Sequence, residues 1–308
     1  MNTTAAAERA DQRVINPATG MAAVTLRVGD LQSMSAYYAD AFALQEVEER
    51  SRGTEVHRVL GRGSVPMMRL VHTPGLPAVD PTQAGLFHTA FLFDDQASLA
   101  STVLAAAQAP GSRFVGSSDH LVSEAFYFTD PEGNGVELYR DRPRADWVWQ
   151  QGQITMDTLW LDPNEYLRTH LTQAAVDAGP ALAGKVGHVH LQVGNIEVAR
   201  RFYTDALGFE TTLSARGALF ASAGGYHHHI AMNVWNSRGV GPRGVALGLG
   251  DVAVQVPGRD DLDALTARLK AAALQFADDG QAVVVLDPWG TQVTVSMAGT
   301  SVDDMLHR

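Results

Sequence analysis

The chain has 308 residues, contains no cysteine and carries a formal net charge of -11 at pH 7. Without cysteine there are no disulfides or thiolate ligands, so a metal site must be built from histidines and carboxylates. The acidity argues against nucleic acid and anionic membrane surfaces as partners, because both bind through Lys and Arg. A small molecule or another protein is the expected partner.

The length predicts two domains of about 150 residues each. Residues 1–20 carry Glu8 and Asp11 among alanines and lack the apolar segment of a secretory signal. No apolar run approaches the roughly 18 residues of a membrane-spanning helix. We therefore expect a cytoplasmic protein with an N-terminal tail at 1–20 and a C-terminal tail at 298–308.

The chain contains an internal repeat. Residues 24–47 resemble residues 189–212 at a constant offset of 165, with Tyr38 matching Tyr203. Each copy begins as an alternating strand, turns at Gly-Asp30 or Gly-Asn195 and continues with the spacing of an amphipathic helix. Asp and Asn are favoured at the start of a helix, so Asp30 and Asn195 are predicted to cap it.

A second repeat relates two other quarters of the chain. The stretch from Asp130-Pro-Glu-Gly to Glu137 matches that from Asp287-Pro-Trp-Gly to Thr294 at an offset of 157, and each follows a predicted helix, at 97–109 and 261–274. The chain is therefore predicted to be α+β, with four modules of one strand, one helix and three strands. Their approximate limits are 21–73, 86–141, 185–235 and 246–297, numbered here as modules 1 to 4.

Between modules 2 and 3 lies a connecting arm, residues 142–184. It contains Trp147, Trp149 and Trp160 and a helical stretch at 164–178. We expect these aromatic residues to pack on the flanking domains, 21–141 and 185–297, with a role as a substrate cap as the alternative.

The turn in module 2 places a carboxylate among apolar residues. Residues 125–129 read as a strand, 130–135 as a turn that contains the hairpin signal Asn-Gly, and 136–139 as a second strand. In that strand Glu137 points away from Val136 and Leu138, because side chains alternate with period two. Glu137 is expected to face either solvent or, if the sheet curves into a cup, a compensating cation.

The four modules differ in their polar residues at matched positions. The first strand carries His88 in module 2 and His188 in module 3, but Ala23 in module 1 and a position near Asp251 in module 4. Three further residues of module 2 match apolar or neutral residues of module 4: Glu137 matches Thr294, Tyr127 matches Val284 and His120 matches Ala277. Module 3 also has the triplet His227-His228-His229.

Two histidines and one carboxylate form the ligand set that leaves open positions on Fe(II) and suits oxygen chemistry. His88, His188 and Glu137 are therefore the predicted metal ligands. His190 faces the same side as His188 by period two, so it either replaces His188 or packs beside the ligands. The same alternation places His227 and His229 on one face and His228 on the other, without indicating which face is inward.

These residues resemble the vicinal oxygen chelate superfamily of glyoxalases, bleomycin resistance proteins and extradiol dioxygenases. Its opening strands carry a histidine seven residues before an Asp or Asn turn, which His88 with Asp95 and His188 with Asn195 obey. The family's carboxylate ligand follows a D-P-x-G turn, with an active-site tyrosine ten residues earlier. The resemblance covers about residues 21–297 and selects His188 over His190.

The resemblance extends to the two-domain extradiol dioxygenases of the catechol-2,3-dioxygenase type. It implies four βαβββ modules paired into two open cup-shaped mixed β-sheet barrels. It also implies catalytic roles for His228, Tyr127 and His120, with His227, His229 and His190 packed around the metal. The expected chemistry is ring cleavage of a catechol-type aromatic diol by O₂ at Fe(II), with Mn(II) as the alternative metal.

The resemblance has one departure that predicts the pairing of modules. In the better-known enzymes the working pair is modules 3 and 4, whereas here the matching set lies in modules 2 and 3. One mononuclear site therefore requires module 2 to pair with module 3 and module 1 with module 4, within the chain or across a homodimer. A monomer and a homodimer are both compatible with the sequence.

Three other functions share parts of this pattern. A glyoxalase-like isomerase or lyase uses the same cup, a hydroquinone ring dioxygenase uses the same ligands, and a metal-free protein that binds aromatic compounds needs none of them. His57, His72, His170 and His307 match no ligand pattern and are predicted to lie at the surface. Met67 and Met68 are predicted to fill the core.

Overall fold

The computed structural model describes residues 13–181, 184–299 and 301–307. All four predicted modules consist of a strand, a helix and three strands. Module 1 contains β1 (Gly20–Val28), α1 (Leu31–Phe42), β2 (Gln45–Arg52), β3 (Glu55–Arg62) and β4 (Val65–His72). Module 2 contains β5 (Gly85–Leu92), α2 (Gln96–Gln108), β6 (Arg113–Asp119), β7 (Ser123–Thr129) and β8 (Gly135–Asp141).

The connecting arm is built from short helices and strands. It contains a 3₁₀ turn (Arg144–Asp146), β9 (Trp149–Gln150), β10 (Gln153–Ile154), β11 (Leu159–Trp160), α3 (Pro163–His170) and α4 (Gln173–Ala178). The predicted helical stretch is thus two short helices. Trp147 is buried, as predicted, but Trp149 and Trp160 are 44% and 79% exposed, so the prediction that they pack on the domains was wrong.

The second half repeats the pattern of the first. Module 3 contains β12 (Lys185–Gln192), α5 (Ile196–Arg200) with a π-helical continuation (Arg201–Ala206), β13 (Glu210–Ala215), β14 (Ala218–Ser222) and β15 (Ile230–Asn233). Module 4 contains β16 (Gly248–Val256), α6 (Arg259–Ala271), β17 (Phe276–Asp278), β18 (Ala282–Leu286) and β19 (Gln292–Met297). A last helix, α7 (Val302–His307), follows. Among the described residues no helix is long and apolar enough to cross a membrane.

The module boundaries follow local chemistry. The Asp30 side chain accepts a hydrogen bond from the Ser33 amide at 2.9 Å, and Asn195 accepts from two amides of α5, so both predicted caps are present. The turn before β8 is formed by Asp130, whose Oδ1 accepts from the amides of residues 132 and 134. Gly135, expected within that turn, begins β8 instead and pairs with Thr129. Glycine is needed there because a Cβ would meet the Phe87 carbonyl oxygen at 1.9 Å.

The modules pair as the sequence predicted. One sheet has eight strands in the order β17-β18-β19-β16-β1-β4-β3-β2 and joins modules 1 and 4. The other has nine strands in the order β11-β6-β7-β8-β5-β12-β15-β14-β13 and joins modules 2 and 3. Both sheets are mixed and open, which confirms the predicted fold class, and they are called the 1–4 sheet and the 2–3 sheet below. Each half of the chain, 21–141 and 185–297, contributes one module to each sheet.

Strand alternation gives each sheet one apolar face and one polar face. Val24, Leu26 and Val28 of β1 enter a core cluster that draws residues from all four modules and their helices. The opposite faces form the two cups. Met67 and Met68 are both buried, as predicted.

The cup of the 1–4 sheet is covered by α7. The Arg69 guanidinium donates to the Met305 carbonyl at 2.6 Å, and Val302 and Leu306 pack on Val59. His57 lies two residues from Val59 and is buried, so its prediction as a surface residue was wrong. The reason is that a helix covers this face, where the sequence indicated only a tail. His72 and His170 are half-buried, and the His307 side chain lies outside the described part.

The same buried hydrogen bond occurs twice and joins module 1 to module 2 and module 3 to module 4. The Tyr38 hydroxyl of α1 donates to Asp130 Oδ2 at 2.9 Å, and the Tyr203 hydroxyl donates to Asp287 Oδ2 at 2.9 Å. Burial raises the pKa of Asp130 to about 6, although hydrogen bonds from Asn134 and Tyr38 act in the opposite direction. The matched tyrosines and Asp-Pro turns of the sequence repeat therefore have a structural role.

We expect Tyr38→Phe and Tyr203→Phe each to lower the free energy of unfolding by about 1–3 kcal/mol, because a buried carboxylate loses one of its hydrogen-bond donors. Urea denaturation measures the effect. Tyr37→Phe is the matched control, since the neighbouring Tyr37 hydroxyl makes a longer hydrogen bond, 3.3 Å, and its partner is the Ser112 hydroxyl rather than a carboxylate. Equal losses for all three variants would contradict this explanation.

Candidate metal centre

The candidate site is organised around a small buried residue, Ala90, on the central strand β5. Across the antiparallel pairing with β12, Ala90 lies opposite His188. Across the parallel pairing with β8, it lies opposite Glu137. His88 is two residues from Ala90 on the same strand and therefore points to the same face. The methyl side chain of Ala90 leaves room for the three larger side chains around it.

These side chains converge on one point. His88 Nε2 lies 2.8 Å and His188 Nε2 lies 3.1 Å from the same oxygen, Glu137 Oε2. One ligand atom from each residue can be chosen so that all three lie within 4.8 Å of one another. All three residues are buried. The geometry thus brings together the three residues that the sequence predicted as ligands.

Their protonation states suit metal binding. Burial lowers the pKa of His188 to about 4, so its ring is neutral at physiological pH and keeps a lone pair. Burial acts to raise the pKa of Glu137, but the imidazoles of His188 and His88 at hydrogen-bond distance hold it well below its usual range. His188 is therefore a neutral imidazole and Glu137 an ionised carboxylate, and these are forms that coordinate a cation.

One buried atom shows why a cation fits this set. His88 Nε2 lies close to Glu137 but has no aligned hydrogen-bond partner in the described structure. A buried polar atom without a partner costs free energy, and such atoms are rare in proteins. A divalent cation bound by His88, His188 and Glu137 would satisfy this nitrogen and neutralise the carboxylate. Nitrogen and oxygen ligands of this kind suit Fe, Mn or Zn.

Tyr127 and His120 form a hydrogen-bonded pair beside the cluster. Tyr127 lies opposite Glu137 on β7, and its hydroxyl is 2.6 Å from His120 Nε2. His120 Nδ1 is 2.7 Å from the carbonyl oxygen of Asp157, which can only accept. In the neutral ring the proton is therefore on Nδ1, and Nε2 accepts from Tyr127. The arm, through Asp157, thus orients both side chains.

The histidine triplet lies in an irregular segment before β15, so strict strand alternation does not apply to it. The ring of His228 is 4.1 Å from that of His188, centroid to centroid, and His227 lies behind it. His229 turns away, and its Nδ1 accepts from the Ala223 amide. Burial, with the neighbouring imidazoles, holds the pKa of His228 well below its usual range, so its ring is neutral.

His190 packs against the cluster without pointing at its centre. The backbone amide of Trp235 donates to Asn233 Oδ1, so the Asn233 amide group donates to His190 Nε2 at 3.0 Å. The rings of His190 and His88 are perpendicular, with centroids 5.0 Å apart. This nitrogen of His190 is thus committed to Asn233, whereas His188 is directed at Glu137.

Several residues at the site were not predicted. Tyr139 and Asp141 follow Glu137 at period two on β8, and the Tyr139 ring is 4.7 Å from that of His188. Asp141 Oδ1 is 2.9 Å from His227 Nε2, and the Tyr226 hydroxyl also donates to it. Extending the alternation from Glu137 along β8 would have indicated the two strand residues.

The 1–4 sheet shows what replaces the ligands in the other cup. By strand register, Asp251, Thr294 and Ala23 correspond to His88, Glu137 and His188. There, Thr294 Oγ1 donates to Asp251 Oδ1 at 2.9 Å.

One sequence match needs correction. The constant offset matched His120 with Ala277, but Ala277 lies opposite Val284 as Gly116 lies opposite Tyr127. The strands β17 and β18 are shorter than β6 and β7, so the hairpin that carries His120 is longer than its counterpart in module 4.

The chain is similar to known proteins in both sequence and structure. A catechol-2,3-dioxygenase of Bacillus subtilis (strain 168) is 33% identical over 276 residues, which cover 87% of this chain and 93% of the relative. The crystal structure of a putative dioxygenase from Bacillus subtilis superimposes with a TM-score of 0.63 at 13% identity, covering 92% of this chain and 86% of that one. The crystal structure of a mutant glyoxalase I from Zea mays superimposes with a TM-score of 0.58 at 17% sequence identity, covering 94% of this chain and 96% of that one.

The family model of the glyoxalase/bleomycin resistance protein/dioxygenase superfamily matches residues 20–138 and 185–295. These two stretches contain nearly the whole of the four modules and the three predicted ligands, His88, Glu137 and His188. The sequence had predicted this superfamily, and the match confirms it. The chain belongs to the glyoxalase/bleomycin resistance protein/dioxygenase superfamily.

Proposed function

We propose that this protein is an extradiol dioxygenase that opens the ring of a catechol-type aromatic diol with O₂ at a single divalent metal. The observation that carries the proposal is the convergence of His88 and His188 on Glu137, with Tyr127 and His228 on either side. The similarity to a catechol-2,3-dioxygenase over most of both chains supports it. The hydrogen bonds and ring positions around the cluster support a separate role for each side chain.

His88, His188 and Glu137 would hold the metal. When bound, Fe(II), or Mn(II) as the alternative, supplies a Lewis-acid centre that brings the diol and dioxygen together in a fixed geometry. The surroundings are largely buried, which excludes bulk water and strengthens the electrostatic interactions of the site. Positioning of the two reactants is expected to contribute much of the rate.

Tyr127 would bind an oxygen of the diol. The hydroxyl lies within hydrogen-bond reach of both His120 Nε2 and Glu137. With its proton donated to His120, its lone pairs can accept a hydrogen bond from a substrate hydroxyl. Burial and the charge of Glu137 raise the pKa of Tyr127 well above its usual range, which keeps the phenol protonated. His120 then acts by orienting the tyrosine, a role fixed by the carbonyl of Asp157.

His228 would act as the general base and then the general acid. Its neutral imidazole lies against His188, and its Nδ1 is occupied by His227 at 2.7 Å, so Nε2 is the nitrogen available for proton transfer. A base in this position takes the proton of a diol hydroxyl and returns it to an oxygen formed later. The lowered pKa of His228 keeps the ring unprotonated before the reaction, which is the form that can accept a proton.

The donor set argues for this reaction over a glyoxalase-like isomerisation. Enzymes of the latter kind typically draw a carboxylate from each of the two modules, whereas module 3 here contributes His188 to the cluster. The likeness to maize glyoxalase I concerns the fold.

The direct test is anaerobic purification, metal analysis, and then addition of catechol and air. We expect about one iron or manganese per chain and the yellow colour of a ring-fission product in the visible spectrum. Stoichiometric metal without colour across a panel of substituted catechols would overturn the dioxygenase proposal in favour of the isomerase or hydroquinone reactions. Absence of bound metal after incubation with Fe(II) and Mn(II) would overturn the metal site itself.

We expect Glu137→Ala to lose the metal, because the two histidines remain without the charged ligand. Metal content after dialysis, measured by mass spectrometry, should fall from about one per chain to near zero. Thr294→Ala is the matched control, since Thr294 occupies the same register position in the other sheet. Retention of full metal by Glu137→Ala would refute the ligand assignment.

We expect His228→Ala to keep its metal and to lower kcat by roughly 10²- to 10⁴-fold, the usual contribution of a general acid or base. His72→Ala, at the end of β4 in the other sheet, should change neither quantity. Steady-state kinetics with catechol and metal analysis of the same samples decide the outcome. Loss of metal with normal turnover per bound metal would reverse the proposed roles of His228 and the ligands.

A further inference from the structure

A buried chain of hydrogen bonds lies behind the ring of His228. His228 Nδ1 is 2.7 Å from His227 Nδ1, and His227 Nε2 is 2.9 Å from Asp141 Oδ1. His227 is completely buried, whereas the Asp141 side chain is 23% exposed. The chain therefore runs from a partly solvated carboxylate, through one fully enclosed imidazole, to the ring beside the metal ligands.

The middle member of this chain is held rigidly. The His227 ring stacks on Tyr226 with centroids 4.1 Å apart and lies 5.3 Å from the ring of Trp147. The Tyr226 hydroxyl donates to the same oxygen of Asp141 at 3.2 Å and is itself 2.7 Å from the Tyr139 hydroxyl. Ring packing and hydrogen bonds thus restrict both the plane of His227 and the position of the Asp141 carboxylate.

The hydrogen-bond partners indicate which nitrogens of His227 and His228 carry a proton. A carboxylate only accepts, so His227 Nε2 carries a hydrogen and donates it to Asp141. In a pair of neutral rings, His227 Nδ1 is then the acceptor and His228 Nδ1 is the donor. His228 Nε2 then has a free lone pair. An imidazole whose tautomer is fixed by a carboxylate behind it is the arrangement that makes a histidine an effective base.

We propose that Asp141 and His227 are positioning residues that hold His228 in the tautomer with a free Nε2. Neither residue needs to touch the substrate. The inference rests on the proposed function only for its effect on turnover, since the tautomer itself is a property of the protein. Because Asp141 and Glu137 lie on the same face of β8, one strand supplies both a metal ligand and the anchor of the base.

The tautomer can be measured without turnover. The full-length protein, labelled with ¹⁵N-histidine and loaded with diamagnetic Zn(II), is studied by long-range ¹⁵N correlation spectroscopy, with His228→Gln to assign the resonances. We expect His228 to be protonated at Nδ1 in the unmodified protein. In Asp141→Ala a mixture of both tautomers should appear, and Asp141→Asn should retain the original form, because its amide oxygen still accepts from His227 and Tyr226.

Turnover gives the second measurement. We expect Asp141→Ala to lower kcat by about 10- to 100-fold, by analogy with the hydrogen-bonded partners that orient metal-ligating histidines, with KM changed less than twofold. Asp141→Asn should recover most of the activity. Asp146→Asn is the control for loss of a negative charge, since Asp146 is exposed on the arm five residues away. His227→Leu, which removes the acceptor, is the second variant should Asp141→Ala fail to fold.

The outcomes separate this inference from the proposed function. An unchanged His228 tautomer in both Asp141→Ala and His227→Leu, or protonation at Nε2 in the unmodified protein, would overturn the positioning role. If the unmodified enzyme does not cleave catechols, the proposed function fails, but the spectra still decide whether Asp141 and His227 set the tautomer. A tautomer change accompanied by the expected loss of kcat supports both.

Discussion

The antiparallel pairing of β5 with β12 is the interaction on which the candidate site depends. These strands belong to modules that are separated in sequence by the whole connecting arm. Their register places His188 opposite Ala90, and the parallel pairing of β8 places Glu137 on the other side. A slip of one residue would turn the side chains of one strand to the opposite face. The register of the pairing therefore determines whether the ligand side chains can meet.

The internal duplication explains why the scaffold can change one cup without changing the other. The 1–4 sheet repeats the register of the 2–3 sheet, with Asp251, Thr294 and Ala23 at the ligand positions. A buried hydrogen bond and the helix α7, held by Arg69, occupy that cup. Both cups rest on one shared core, so a few polar substitutions suffice to distinguish them.

Comparing the four modules allowed much of the site to be predicted. His88 and Glu137 differ from their counterparts in module 4, as His188 does from Ala23, and such differences are visible without a structure. The need for one complete ligand set then predicted the pairing of modules 2 and 3. What could not be predicted depends on longer-range packing. His57 is buried because α7 covers it, and Asp141 gains its role only when an irregular loop brings His227 against it.

The buried imidazoles show how the fold distributes its polar atoms. His120 is anchored by a carbonyl, His190 by an amide and His227 by a carboxylate. The carbonyl and the carboxylate can only accept, and the Asn233 amide donates because its oxygen already accepts from Trp235. At the cluster, His88 Nε2 has no aligned hydrogen-bond partner among the described residues. Burying unpaired polar atoms is costly, and ion binding recovers part of that cost. The outer histidines are therefore fixed by the protein alone, whereas the ligands are left incomplete in a way that a metal ion would complete.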